Sequence, residues 1–212
     1  MKPVLIRQHV EYAPPGLLAA WLEARGIPYH VSRSWAGGPL PDLGDYSFVA
    51  SLGHTCGPGD TQDPAVAAEL ELLGTAVARD VPVLGLCFGG EALAAVLGGR
   101  VERAPVPELG WRVIDTDDPR RVPEGPWLEW HFERFSTPPG AVELARTADA
   151  TQAFRLGPHL GVQFHPESTV DIVAGWAELH GVEDGRALVA ASAERIAAAR
   201  AAAFRLFDAF LD

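Results

Sequence analysis

Two short segments of this chain carry residue types at spacings suited to acyl transfer. In the first, Val83-Leu84-Gly85-Leu86-Cys87-Phe88-Gly89-Gly90-Glu91, an apolar run passes through small residues into a helical pattern, with a thiol at the junction. That is the logic of a nucleophile elbow, with sulfur at the apex of a sharp strand-to-helix turn. Gly85 and Gly89 allow the backbone to close tightly around a residue held in an unfavourable conformation, and the N-terminus of the following helix favours a thiolate. The second segment, Gly161-Val162-Gln163-Phe164-His165-Pro166-Glu167, ends an apolar strand in His-x-Glu, with Pro166 stiffening the turn. A cysteine nucleophile needs an imidazole to take up its proton and return it to the leaving group, and the imidazole needs a carboxylate to orient it. Cys87, His165 and Glu167 supply one of each. Taken singly, Cys87 also fits a buried structural thiol and His165 a satisfied core histidine.

The elements that must hold these residues follow from the apolar pattern. Strands are expected at Lys2 to Gln8, Ile27 to Val31, Tyr46 to Leu52 and Val81 to Leu86. Helices are expected between them: Leu17 to Arg25 after Pro15-Gly16, then Asp63 to about Arg79 with Asp63 as N-cap and Pro64 at the first helical position. A third, Gly89 to Leu97, closes at Gly98-Gly99. Such alternation predicts a mostly parallel sheet covered on both faces. The second half changes character, with short strand candidates at Gly99 to Arg103, Trp111 to Asp115, Trp127 to Phe132, Val142 to Arg146, Gln152 to Leu156 and Gly161 to Phe164, including antiparallel pairs. From about Gly185 to Leu211 an Ala- and Arg-rich stretch predicts one long helix or two shorter ones.

Length and composition limit the possibilities. The 212 residues suit a single α/β domain with no internal repeat or dividing linker, and 48% hydrophobic residues suffice for a full core. A formal net charge of -11 argues against nucleic acid, which calls for a basic surface stripe. The N-terminal MKPVLIRQHV lacks the apolar centre of a signal peptide, and no stretch approaches the roughly 18 apolar residues of a membrane span. Cys56 and Cys87 are the only cysteines and form no CxxC pair, which fits a cytoplasmic enzyme with free thiols better than one with a lone disulfide.

Gly-Leu-Cys-Phe-Gly-Gly-Glu together with Gln-Phe-His-Pro-Glu resembles the class I glutamine amidotransferases, in particular the stand-alone type related to the amidotransferase part of GMP synthetase. Leu52-Gly53, Leu109-Gly110-Trp111, Trp130-His131-Phe132 and Gln152-Ala153-Phe154 fall in the order that the family shows, so the likeness covers nearly the whole chain. The resemblance implies a flavodoxin-like α/β sheet, a glutamyl thioester and no metal or other cofactor. It makes Cys87 the nucleophile, His165 the base and then the acid, and Glu167 the orienter. It places the oxyanion hole at the backbone N–H groups of Gly53 and Phe88, and the substrate's α end near His131 and Phe132.

Two departures from the family pattern stand out. The family's Gly-Gly-Pro turn falls on Leu52-Gly53-His54, which keeps one backbone donor and places His54 within reach of a ligand. Glu91 stands where most members carry Gln, and a carboxylate there pairs with an α-ammonium but repels an α-carboxylate. γ-Glutamyl hydrolases, relatives on the same fold, show a similar Cys-x-Gly-x-Glu pattern. Other features have ordinary structural explanations: Glu108 as a core partner, Cys56 as an incidental loop thiol, and Asp115, Asp117 and Asp118 as a solvated acidic turn. The expected activity is hydrolysis of the γ-amide of glutamine, with ammonia passed to a separate ATP-dependent synthetase, because the chain has no P-loop and no room for a synthetase domain. The alternatives are a γ-glutamyl amide hydrolase that acts alone and a catalytically silent partner-binding protein.

Overall fold

A computed structural model describes residues 2–212. The first half alternates strand and helix as the apolar pattern predicts: β1 (Val4–Gln8), α1 (Gly16–Ala24), β2 (Tyr29–Arg33), β3 (Val49–Ser51), α2 (Pro64–Ala78), β4 (Val83–Leu86) and α3 (Phe88–Val96). The second half contributes β5 (Val101–Arg112), β6 (Asp115–Thr116), β7 (Trp127–Phe135), β8 (Val142–Arg146), β9 (Thr151–Leu156), β10 (His159–Val162), α4 (Val170–Leu179) and α5 (Gly185–Leu211).

Eight strands form one sheet in the order β2-β1-β3-β4-β10-β9-β8-β6. The pairs from β2 to β10 are parallel and the remainder antiparallel. Strands buried on both faces carry no polar alternation, which is why β4 and the Val4-Leu5-Ile6 part of β1 read as continuous apolar runs. One face packs against α1 and α5 through Leu18, Trp21, Leu22, Ala203, Leu206 and Phe207; the other packs against α2 and α3 through Val66, Leu73, Ala92 and Leu93. Asp63 caps α2 by accepting the Ala65 N–H, as its place before Pro64 predicts.

Several boundaries depart from the sequence reading. The expected strand Tyr46 to Leu52 is shortened to Val49–Ser51, because Asp42 caps a short helical turn at Leu43–Asp45 that takes up the approach. The strand expected from Ile27 starts after Pro28, at Tyr29, and the one expected from Gly161 starts at His159. The strand expected at Gly99 to Arg103 and the start of the one expected at Trp111 to Asp115 are parts of one longer strand, β5, which ends at Arg112 and pairs with β7 in a separate two-stranded ribbon, whereas Asp115 lies in β6 of the main sheet. The register of β5 shifts between Arg103 and Glu108, and Pro105 and Pro107, which have no N–H to give a ladder, sit within that irregular stretch. Helix α4 is absent from the sequence reading, although Thr169 caps it and Ile172, Val173, Trp176 and Ala177 form its buried stripe. The C-terminal stretch is one helix of 27 residues.

The turn from β4 into α3 depends on glycine at close approaches. A Cβ on Gly89 runs into the carbonyl oxygen of Ser51, and a Cβ on Gly85 runs into the carbonyl of Gly89. Gly74, within α2, has open space around its Cβ position. Gly89→Ala is therefore expected to destabilise the fold by about 1–3 kcal/mol or more. Gly74→Ala stabilises it by roughly 0.5–1 kcal/mol through the backbone entropy of the unfolded chain. Urea unfolding of the two variants beside the parent checks both signs.

Candidate active site

Cys87 is the residue between β4 and α3, with φ 53° and ψ -112°. Asp80 is the only other non-glycine residue with positive φ among the described residues. Such a conformation costs on the order of 1–3 kcal/mol and persists where the surroundings over-determine it. Here the Cys87 N–H donates to Val162 O at 2.9 Å, the Glu91 N–H donates to Cys87 O at 2.9 Å, and the Gly89 N–H donates to Leu52 O at 3.2 Å. Three neighbouring segments thus pin the elbow, and the thiol is 7% exposed at the floor of a cavity of about 590 Å³.

His165 and Glu167 follow β10, the neighbour of β4 in the sheet. His165 Nδ1 lies 2.8 Å from Glu167 Oε1, and both side chains are buried. The imidazole is coupled to the Cys87 sulfur, and its edge faces Gly53. Burial alone disfavours its proton, but the carboxylate of Glu167 and the Cys87 sulfur outweigh that effect and hold the His165 pKa well above its ordinary value. The backbone is fixed from two sides: the His165 N–H donates to Leu128 O on β7, and the Leu17 N–H at the start of α1 donates to Glu167 O. Gly16 makes that second approach possible, since a Cβ there meets the Glu167 carbonyl.

Gly53 follows β3, so the candidate oxyanion turn, nucleophile and base leave the ends of three adjacent strands. Gly53, Cys87 and His165 line the cavity with His54, Glu91, His131 and Phe132. Phe88 and Glu167 lie behind it: the Phe88 ring packs on His9 and His54, and Glu167 backs His165. Glu91 Oε1 accepts a hydrogen bond from Gln163 Nε2 at 2.9 Å. Burial pushes the Glu91 pKa up to about 7, partly offset by the Gln163 hydrogen bond.

His131 has partners that the sequence does not reveal. Its Nδ1 donates to Glu133 O at 2.7 Å, while Nε2 lies 3.3 Å from Glu108 and 3.4 Å from Glu129, an ion-pair arrangement between two buried carboxylates. Burial alone lowers its pKa, but the contacts with Glu108 and Glu129 prevail and raise it to about 10, so the ring is an imidazolium. Glu108 also binds Gln152 and Thr147, consistent with a core role. Of the acidic turn, Asp115 and Asp117 pair with Arg146, and Asp118 accepts from the backbone of Arg120 and Arg121.

Sequence reasoning missed several cavity residues. Asp60, Arg103 and Glu133 add charge at one part of the wall, and Tyr12, Trp130, Trp176 and His180 add aromatic surface at another. Glu133 was within reach of sequence reasoning, since it shares a face of β7 with His131 two residues on. Trp176 was lost with α4. A buried network of Arg7, Ser51, Glu69 and His9 lies beneath the oxyanion turn, with Arg7 Nε 2.7 Å from Glu69 and Ser51 Oγ donating to the same carboxylate. Burial lowers the His9 pKa to about 4, which keeps this ring neutral. His54, Cys56 and Asp63 bring one ligand-type atom each within 4.8 Å of one another. Those donors are already engaged: His54 Nδ1 accepts the Cys56 N–H, and Asp63 caps α2. Both cysteines are free, and no helix among the described residues is long and apolar enough to cross a membrane.

Residues 55–172, which include Cys87, His165 and Glu167, match the model of the family "Glutamine amidotransferase class-I". One subunit of a glutamine-hydrolysing GMP synthase from Ignicoccus hospitalis is 31% identical over 138 residues, which are 61% of this chain and 71% of that protein. A glutamine-hydrolysing GMP synthase from Aeropyrum pernix is 37% identical over 118 residues, 51% of this chain but 22% of that longer protein. The chain thus spans only about a fifth of the longer GMP synthases that it matches. Among solved structures, a glutamine amidotransferase from Methylobacillus flagellatus superimposes with a TM-score of 0.90 at 31% identity, covering 100% of this chain and 94% of the other. One from Thermotoga maritima, at 24% identity and a TM-score of 0.91, shares the fold. By its family match, its relatives and the architecture around Cys87, the chain belongs to the class I glutamine amidotransferases.

Proposed function

We infer that this chain hydrolyses the side-chain amide of glutamine through a glutamyl thioester on Cys87 and supplies the ammonia to a separate synthetase. The observation that carries the reading is a positive-φ elbow thiol that lines one cavity with an imidazole, both beside Gly53, and that imidazole is itself held 2.8 Å from a buried carboxylate. The Cys87 thiolate adds to the γ-carbonyl carbon, and the oxyanion is received by the N–H groups of Gly53 and Phe88. Donors so placed are commonly worth about 3 kcal/mol each in the transition state. The His165 imidazolium gives its proton to the departing nitrogen, the C–N bond breaks and ammonia leaves. His165, now neutral, takes a proton from water as the water adds to the thioester; the C–S bond breaks, and glutamate and the thiol are restored. Glu167 keeps Nδ1 of His165 protonated and the ring aimed throughout.

At the α end, Glu91, Glu133 and Asp60 make one part of the cavity acidic, with Arg103 as a nearby cation. We assign the α-ammonium to the Glu91 side. Delivery of ammonia to a synthetase draws support from the Ignicoccus relative, which is named as one subunit of a GMP synthase.

Cys87→Ala is expected to reduce glutamate release to background. Glu167→Gln is expected to lower kcat by about 10²-fold or more with little change in KM, because it disturbs proton transfer rather than binding. Steady-state glutaminase assays check both, alone and with a candidate synthetase present. A second measurement concerns Glu91, whose pKa is raised to about 7, so that it is a neutral acid below that value and a carboxylate above it. An α-ammonium prefers the carboxylate, so KM for glutamine is expected to fall as pH rises through about 7, and Glu91→Gln is expected to remove that step. A KM that rises over the same interval places the α-carboxylate, not the ammonium, beside Glu91.

A further inference from the structure

The cavity is larger than glutamine requires. Its volume of about 590 Å³ lies in the range of sites for drug-sized ligands, whereas glutamine has only about ten non-hydrogen atoms. The surplus is aromatic, and it lies beside the residue that protonates the leaving group. Trp176 packs edge-on to the His165 ring at 4.8 Å between centroids, Trp130 packs edge-on to Trp176 at 5.5 Å, and His180 lies 5.9 Å from Trp130 and 6.1 Å from Tyr12. The Cys87 sulfur is 3.9 Å from the Trp130 carbonyl oxygen, which sets the backbone that carries the Trp130 indole beside the nucleophile.

The wall is a built feature. Trp176 is 5% exposed, and its indole Nε1 donates to Tyr12 O at 2.7 Å, fixing the β1–α1 loop against α4. Val10 and Ala13 also line the cavity, whose carboxylates are Asp60, Glu91 and Glu133. None of these carboxylates belongs to the aromatic cluster, although Glu91 acts on His131 and His165 as well as on Glu133. When glutamine is cut, the leaving group is a single nitrogen, which makes no use of an aromatic wall.

We propose that this wall is a leaving-group subsite and that the chain also hydrolyses γ-glutamyl amides of arylalkyl amines. The proposal rests on the reading of Cys87 as nucleophile. The reaction balances with water alone: the thiolate takes the γ-carbonyl carbon, the C–N bond breaks as His165 protonates the nitrogen that bears the arylalkyl group, and water then cleaves the thioester to glutamate and free thiol. The departing ring rests against Trp130, Tyr12 and His180, backed by the buried Trp176, where edge-to-face contacts and displaced water favour it over an alkyl chain.

The test compares γ-glutamyl-phenethylamide, γ-glutamyl-ethylamide and glutamine as substrates of the full chain. The proposal expects kcat/KM for the phenethylamide to exceed that for the ethylamide by about tenfold or more. Trp130→Leu, with its fold verified by circular dichroism, is expected to reduce that ratio about tenfold. Calorimetry on Cys87→Ala reads binding without turnover, and the phenethylamide is expected to bind at least tenfold more tightly than the ethylamide. Equal kcat/KM or equal binding for the two amides overturns the subsite, even if glutamine is hydrolysed; that outcome fits a wall that meets a protein partner instead. Aromatic preference in binding without Cys87-dependent turnover of any substrate keeps the subsite and removes the glutaminase reading and the hydrolysis proposed here.

Discussion

The positive-φ conformation of Cys87 is the constraint on which the rest of the site depends. A strand cannot pass directly into a helix and leave a thiol standing free unless one residue leaves the ordinary backbone regions, and that residue then needs external support. The support comes from Val162 O on β10, from Leu52 O after β3, and from the first turn of α3. These are the segments that also carry the proposed base, His165, and the proposed oxyanion turn at Gly53, so the hydrogen bonds that hold Cys87 in place also set its distance from both. Gly85, Gly89 and Gly90 admit no side chain at the crossing, since a Cβ on any of them meets backbone of a neighbouring segment.

A second feature is the amount of charge buried around that elbow. Glu69, Glu91, Glu108, Glu129 and Glu167 are all nearly inaccessible, as are Arg7, His131 and His165. Burial of unpaired charge is costly, and the structure answers it by pairing: Glu69 with Arg7, Glu108 and Glu129 with His131, and Glu167 with His165. Glu91 has only the neutral Gln163 amide as its hydrogen-bond partner, and its pKa rises accordingly. Among these carboxylates it is the one without a cation in contact and with the cavity before it, which suits it to receive a positive group from a ligand.

Much of this arrangement was legible in the sequence, for identifiable reasons. Strands covered on both faces are largely apolar, so β4 and the first three residues of β1 stood out, and Asp63-Pro64 marked the start of α2 by capping chemistry alone. The elbow and the His-x-Glu turn were legible because few residue types perform acyl transfer and because small residues must flank the apex. The hidden parts depend on long-range contacts. The sequence reading separated a strand at Gly99 to Arg103 from one at Trp111 to Asp115, yet the pairing of β5 with β7 resumes at Glu108, beyond Pro105 and Pro107. In α4 the Thr169 cap and the buried stripe were present, but Gly175 and a length of ten residues weakened the helical signal. With α4 went Trp176 and the aromatic side of the cavity. The pairing of His131 with Glu108 and Glu129 follows from the register of β5 on β7, which residue types do not disclose.

The central claim is that Cys87, and not the more accessible Cys56 on the same cavity wall, forms the covalent intermediate. Burial and the nearby carboxylate of Asp63 push the Cys56 thiol up, toward its protonated and less nucleophilic form. The most direct measurement is covalent trapping with a diazoketone analogue of glutamine, which leaves a stable thioether on an attacking thiolate, followed by peptide mass spectrometry. The account predicts one adduct per chain, on the peptide containing Cys87, formed in step with loss of glutamine hydrolysis and absent from Cys87→Ala. An adduct on Cys56, or continued glutamine hydrolysis by protein fully labelled at Cys87, contradicts it.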